Sequence, residues 1–262
     1  MSDLNIVDKS IANVYKLNTF KSEIVTQALF WEKIQILDSK DSWKYVLLTD
    51  GYKGWVHDFY LNSTSISDNY PTFKPDNYTW YWVINTFADI VDKDFKVSFG
   101  TKIPCVLIDK KLYMINPDNS LIEINHNSVI KATKLTEIKE VLKYAKVLNG
   151  IPYLWGGKSS FGYDCSGLVQ TILLMANYRF PRDCSLQVKS KNLVALDYKD
   201  IDCGDLVYFS LNNDIDHVGI LLNKYDFMHS SGCVKINSSN KESYIYDSKL
   251  CSSIHGYYRF KK

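Results

Sequence analysis

The run Tyr163-Asp164-Cys165-Ser166-Gly167-Leu168 constrains this chain more than any other stretch. Ahead of it stands Pro152-Tyr153-Leu154-Trp155-Gly156-Gly157, a loop whose glycines allow tight turns. Behind it, apolar residues fall at 168, 172 and 175 with 169 and 173 beside them, which is a helical period. Cys165 therefore stands where a loop becomes a helix. The unpaired amides and partial positive charge of a helix start favour an anion. The thiol is accordingly expected to have a lowered pKa and to act as a nucleophile.

Such a nucleophile needs a base. His217 opens the apolar run His217-Val218-Gly219-Ile220-Leu221-Leu222, and His229 lies in Phe227-Met228-His229-Ser230-Ser231-Gly232. Both runs read as short strands, and the spacing of the histidines suits an antiparallel hairpin turning near 223–224. Neighbouring strands would set His229 beside His217, giving nucleophile, base and orienting group. Each residue alone has a plain structural reading: a lone cysteine is usually a small buried hydrophobe, and a strand histidine is usually a satisfied core residue. The combination is what points to an active site. His57, His126 and His255 fit no such pattern and read as structural or surface residues.

The segments 152–157 and 164–167, with Gly204-Asp205-Leu206-Val207-Tyr208-Phe209, His217-Val218-Gly219-Ile220 and Met228-His229-Ser230-Ser231-Gly232, resemble in order and spacing the NlpC family of bacterial cell-wall cysteine peptidases. The resemblance implies a papain-like α+β domain over 135–262 that hydrolyses amides through a thioester. Cys165 would be the nucleophile, His217 the base and His229 the third member. The backbone N–H of Cys165 and, by the resemblance, the Tyr153 hydroxyl would hold the oxyanion. Trp155 is expected to pack the loop. The order of elements agrees with this fold. A helix over 136–148, capped by Thr136, opens the domain. The helix after Cys165 follows, then a short helical stretch near 185–192, then strands near 205–209, 217–222, 227–230, 234–237 and 256–260.

Upstream, strands over 12–15, 25–29, 32–38 and 43–48, another from Gly54, and turns at Asp50-Gly51 and Lys53-Gly54 suggest a small barrel over 1–66. Ser22-Glu23-Ile24-Val25-Thr26-Gln27-Ala28 and Asp50-Gly51-Tyr52-Lys53-Gly54-Trp55-Val56 are similar to the bacterial SH3-like domain. Trp31 takes the place of an expected small residue there, and its ring should reshape the neighbouring loop. A connector with Pro71 and Pro75 spans 62–77. Strand candidates at 81–84, 95–99, 103–108 and 112–115 read as a second, eroded SH3-like domain over 67–134. The expected fold class is thus α+β, a papain-like cysteine peptidase domain preceded by two small SH3-like β-barrels.

Members of the family that combine SH3-like domains with Asp-Cys-Ser-Gly cleave the γ-D-glutamyl-L-diamino acid bond of murein peptides. They hold the free ammonium of the N-terminal L-alanine. Carried over, this implies a substrate grip by Asp164, Tyr60 and Glu23, with Ser166 flanking the nucleophile. Arg182 and Asp183 read as a local ion pair. A carboxylate next to a thiolate opposes its ionisation, so Asp164 suits binding better than activation. The expected partners are murein tri- or tetrapeptides, with lysine or diaminopimelate third. The alternatives are a hydrolase of intact peptidoglycan, a non-catalytic peptide-binding relative and an acyltransferase.

Composition narrows the remaining choices. A chain of 262 residues has room for two or three small domains. Its net charge of +2 includes no basic block for nucleic acid and no large field for a membrane surface. No apolar run reaches the ~18 residues of a spanning helix, and the first residues lack a charged and apolar leader, so a cytoplasmic location is expected. The six cysteines form no CxxC pair, so neither a disulfide framework nor a zinc site, nor any other cofactor, is expected.

Overall fold

The computed structural model of the protein describes residues 4–62, 78–91, 95–211 and 214–261. Two compact units divide the chain, Met1–Thr136 and Glu137–Lys262. The connector expected over 62–77, and with it the boundary expected after residue 66, lies from residue 63 onward outside the described residues.

In the first unit, alternating burial builds the strands β1 (Leu4–Val7), β2 (Ile11–Tyr15), β3 (Ile24–Leu29), β4 (Lys33–Lys40), β5 (Trp43–Leu48), β6 (Lys53–His57) and β7 (Leu61–Asn62). They form a sheet in the order β3-β2-β6-β5-β4-β1-β7. Ala12, Val14, Ile34, Val46 and Val56 point into one core, as period-two patterning requires. A second sheet, β11-β10-β9-β8-β12, is built from β8 (Thr79–Val83), β9 (Lys102–Ile108), β10 (Lys111–Ile115), β11 (Leu121–Ile124) and β12 (Val129–Lys131). The strand expected over 95–99 does not form; the stretch makes one isolated bridge, between Ser98 and Phe87. Its alternating apolar residues are used otherwise: Val97 and Phe99 are fully buried as loop residues.

Trp31 does more than reshape a loop. Its backbone has φ +70°, unusual for a bulky side chain. The ring is buried with Tyr81, Ile103 and Met114 of the second sheet, and its Nε1–H donates to the carbonyl oxygen of Ile115 at 2.9 Å. Packing and one buried hydrogen bond hold the strained conformation, and the same residue ties the two sheets of this unit together.

The second unit opens with α1 (Ile138–Ala145). Glu137 takes the cap position in place of the expected Thr136 and makes no side-chain cap bond. One tighter turn, Lys146–Leu148, ends it. The short strands β13 (Lys158–Ser159) and β14 (Gly162–Tyr163) then pair and lead into α2 (Cys165–Met175). Of α2's side chains only Leu174 is not buried, and a helix that is apolar on nearly all sides belongs in the middle of a core. α3 (Cys184–Gln187) is shorter than the helical stretch expected over 185–192. Strands β15 (Leu193–Leu196), β16 (Leu206–Leu211), β17 (Asp214–Leu221), β18 (Asp226–Ser231), β19 (Cys233–Ser238) and, after α4 (Ser248–Ser252), β20 (Ile254–Phe260) complete the unit. They form an antiparallel sheet in the order β15-β20-β16-β17-β18-β19. α2 packs on β17 and β18 of this sheet. Among the described residues no helix is long and apolar enough to cross a membrane.

Candidate active site

Cys165 is the first residue of α2, and Asp164 is its N-cap. The Asp164 carboxylate accepts from the N–H of Gly167 at 2.7 Å, the fixed geometry of a helix cap. It also accepts from Gly156 N–H at 2.9 Å and from the Ser166 hydroxyl at 3.2 Å. Arg182, itself only 3% exposed, closes a two-pronged ion pair on the same carboxylate, at 3.0 and 2.5 Å. These donors fill the roughly four lone-pair positions that a carboxylate offers. Gly156 reaches Asp164 with φ +75°, and Gly167 packs so close to the Gly157 carbonyl that a Cβ there would collide with it. Two glycines thus let the approach loop fold onto the helix start.

This cluster revises two of the expected roles. Asp164, expected to grip a substrate ammonium, has its carboxylate taken up by main chain, Ser166 and Arg182. Ser166, expected at the substrate, is buried, donates to Asp164 and accepts from Arg182 Nη1 at 2.8 Å. Arg182, expected to pair with Asp183, whose charge does act on it, also forms a buried ion pair with Asp164.

The sulfur of Cys165 lies against β17. Sγ makes a weak contact of 3.9 Å with the carbonyl oxygen of Asp216, and the N–H of Val218 points at it from the other side of His217. β18 pairs with β17 from Gly219 to Leu221, so the strand edge beyond Gly219 is left to the thiol. The expected lowering of the thiol pKa is not found. Burial, first, and the neighbouring Asp164 charge, second, push it up to about 11, against the smaller opposing effects of the backbone amides and Arg182. Desolvation outweighs the helix start.

His217 and His229 meet as the hairpin register requires, since Gly219 pairs with His229. His217 Nε2 and His229 Nδ1 are 2.8 Å apart. Their rings stand edge to face, with centroids 5.0 Å apart. On its far side His229 Nε2 meets Asn237 Oδ1 at 2.8 Å, and the Asn237 amide donates to Ile245 O at 2.9 Å. Burial, the second ring and Lys235 hold the His217 pKa down at about 3. The His229 pKa is lowered too, chiefly by burial, with its bond to Asn237 opposing. Both imidazoles therefore rest neutral.

A cleft of about 320 Å³ beside His217 is lined by Tyr153, Phe209, Asp216, Ser231 and Ser253 among others. Tyr153 is held by the bond of its N–H to Gly232 O at 2.9 Å. Burial, with the neighbouring Cys165 and Asp164, pushes its phenol up to about 12, so it keeps its proton as a donor. Trp155, expected to pack the loop, is 61% exposed. Tyr60 and Glu23 lie in the other unit. The Tyr60 ring lies tilted against Phe59 with centroids 4.2 Å apart, and Glu23 makes an exposed ion pair with Lys16 at 3.4 Å. Asn237 was missed in the sequence. Its signal was register: Lys235 pairs with His229 across β18 and β19, and Asn237 follows two residues on, on the same face.

A buried thiol at a helix start, lying against a strand that carries a histidine, with a second histidine bonded to the first, is the equipment of a cysteine peptidase. Residues 150–254 match the NlpC/P60 family, and residues 14–58 match the bacterial dipeptidyl-peptidase SH3 domain. The chain carries a cysteine peptidase domain of the NlpC/P60 family, preceded by a bacterial dipeptidyl-peptidase SH3 domain. It is 27% identical over 247 residues to the γ-D-glutamyl-L-lysine dipeptidyl-peptidase of Bacillus subtilis (strain 168), covering 87% of this chain and 80% of that one. It is 24% identical to dipeptidyl-peptidase 6 of Lysinibacillus sphaericus, covering 95% of this chain and 96% of that one. A crystal structure of an NlpC/P60 family protein from Bacillus cereus ATCC 10987 shares the fold with a TM-score of 0.81 at 21% identity, covering 98% of this chain and 99% of that one.

Proposed function

We propose that the protein hydrolyses the γ-D-glutamyl-L-diamino acid bond of murein tri- or tetrapeptides that carry a free N-terminal L-alanine, in cell-wall peptide recycling. The observation that carries this reading is the series from the Cys165 sulfur, set against Asp216 O of β17, to the 2.8 Å contact of His217 with His229. The names of the relatives, dipeptidyl-peptidases acting at γ-D-glutamyl-L-lysine, support the bond and the free amino end. Recycling would place the reaction in the cytoplasm. We read the catalytic unit as papain-like and the five-stranded sheet of the first unit as a second, eroded SH3-like domain.

In the reaction, Cys165 attacks the γ-carbonyl carbon of D-glutamate while His217 takes the thiol proton. The resting pair is neutral, so proton transfer accompanies attack and does not precede it. The Cys165 N–H and the Tyr153 hydroxyl stabilise the oxyanion. His217 gives its proton to the leaving α-amine, a thioester remains, and water activated by His217 releases the acid. His229 orients the base. Tyr60 and Glu23 are assigned to the free ammonium by resemblance.

Two measurements test this. Cys165→Ala should lower kcat by roughly 10⁴ or more with the fold intact; a variant keeping a tenth of wild-type turnover would move the nucleophile elsewhere. L-Ala-γ-D-Glu-L-Lys should be cleaved efficiently, its N-acetylated form and intact sacculi hardly at all. Equal rates on the free and acetylated peptides would leave the wall-lytic alternative standing.

A further inference from the structure

The register of β16 against β17 slips at the mouth of the cleft. Phe209 pairs with His217, and the next residue, Ser210, pairs with Ile215, so Asp216 is the extra residue of a β-bulge. In a regular strand, neighbours 216 and 217 would face opposite sides of the sheet. A bulge re-aims a side chain, and bulges concentrate beside active sites for that reason. Here both Asp216 and His217 line the same cleft.

Asp216 is exposed, and among the described residues no cation or hydrogen-bond donor meets its carboxylate. Of the other acids near the sheet, Asp164 is engaged by Arg182, Asp205 by Arg259 at 2.7 Å and Asp226 by Asn223 at 2.9 Å, while Asp214, at the start of β17, is exposed but does not line the cleft. Asp216 is thus the one acidic residue among the described residues lining the cleft, beside hydroxyl, aromatic and imidazole groups and the aliphatic Leu250.

Resting on the proposed reaction, we infer that Asp216 reads the side-chain ammonium of the diamino acid on the leaving-group side of the scissile bond. His217 must hand its proton to the leaving α-amine, so the residue that owns this amine lies against His217. Its side chain then falls beside the carboxylate that the bulge presents next to the base. The backbone carbonyl of Asp216 is also the one that the Cys165 sulfur touches, which keeps this carboxylate within the reacting region. Lysine offers it a lone positive charge. Diaminopimelate offers an ammonium accompanied by a carboxylate, whose like charge opposes Asp216. The cleft is therefore selective for L-lysine over diaminopimelate, and for either over an uncharged side chain.

The test compares kcat/KM of wild type and Asp216→Asn on L-Ala-γ-D-Glu peptides ending in L-lysine, diaminopimelate or L-norleucine. The near-isosteric amide removes the charge from an exposed position. A charge-assisted contact is worth about ten- to a hundredfold, so wild type should prefer the lysyl to the norleucyl peptide by that factor. Most of the difference should lie in KM. In Asp216→Asn the ratio should collapse to within about twofold. Equal wild-type rates on lysyl and norleucyl peptides, or a preference that survives Asp216→Asn, would overturn the role of Asp216 while leaving the peptidase reaction in place. A variant that instead loses its discrimination against the N-acetylated peptide would place the carboxylate at the other end of the substrate and overturn it as well. Failure of wild type to cleave any of the three would overturn the proposed reaction and this inference together.

Discussion

Two groups of polar side chains flank the Cys165 sulfur, and they are built on opposite principles. On the helix side, Asp164 and Arg182 form a buried ion pair whose carboxylate is taken up by hydrogen bonds. On the strand side, His217, His229 and Asn237 form a series in which burial keeps both rings neutral. The charged group holds geometry. It caps the helix, fixes the approach loop and has no lone pair left over for transfer. The neutral group can move a proton because none of its members is locked into an ion pair. Charge inside this unit is spent on scaffolding, and the proton-handling parts are kept out of it.

The sharpest way to break that contrast is to unbalance the charged group. Arg182→Met leaves the Asp164 carboxylate buried without its counter-ion, which costs about 3–5 kcal/mol when a buried pair is broken from one side. Denaturant unfolding should show a loss of that size. The double variant Arg182→Met/Asp164→Asn should recover much of it, because the amide can still cap α2 and no lone charge remains. If Arg182→Met kept full stability and lost only kcat, the cluster would belong to the chemistry and the two groups would not differ in kind.

These groups differed also in how much of them could be read from residues alone. The thiol at the helix start and the two histidines were legible because strand alternation and hairpin spacing are local rules, and the register of β17 with β18 obeys them. Asp164 was legible as a neighbour of the nucleophile but not as the cap of α2 and the counter-ion of Arg182, since Arg182 comes from beyond the end of α2. The thiol pKa was misjudged for a related reason: a helix start can be seen in sequence, whereas the burial that overrides it is tertiary. Trp31 teaches the same in the first unit. Its substitution into a small-residue position could be seen, but the sheet that receives its ring could not. The stretch 95–99 alternates like a strand and is used as a buried loop, because burial alone does not require pairing.

The pH profile sharpens the neutral half of the comparison. The His217 pKa is lowered to about 3 and the Cys165 pKa is raised to about 11. A lowered imidazole stays unprotonated as pH falls, so the base is lost only on approaching the lower value. A raised thiol keeps its proton as pH rises. The profile of kcat/KM should then be a broad plateau, with an acid limb well below the ordinary imidazole value of about 6.5 and an alkaline limb above the ordinary thiol value of about 8.5. The two limbs belong to the pair as a unit. Stability should move in step at the acid end. Below about pH 6.5 the unfolded chain binds a proton that folded His217 refuses, so stability falls from there towards pH 3. An acid limb at 6.5 would mean that His217 is solvated when it works.

The smallest expected effect tests how the neutral series is oriented. The Asn237 amide is fixed by donating to Ile245 O, so its oxygen faces His229 and must accept. His229 then carries its proton on Nε2 and presents a bare Nδ1. That nitrogen can only accept, so His217 places its own proton on Nε2 and is left with a lone pair on Nδ1 for the thiol. Asn237 thus sets the tautomer of the base through one intervening ring and is a positioning residue. Asn237→Leu removes this instruction without adding charge. It should lower kcat by about tenfold, the worth of one hydrogen bond at about 1.4 kcal/mol, with KM little changed. Asn237→Asp keeps an acceptor facing His229, so the tautomer survives. The new carboxylate stabilises the protonated rings, so the acid limb should move to higher pH than in wild type. A merely structural role would leave that limb where it was. If Asn237→Leu and Asn237→Asp lost the same activity with unshifted limbs, the amide would be a strut for β19, and the series would end at His229.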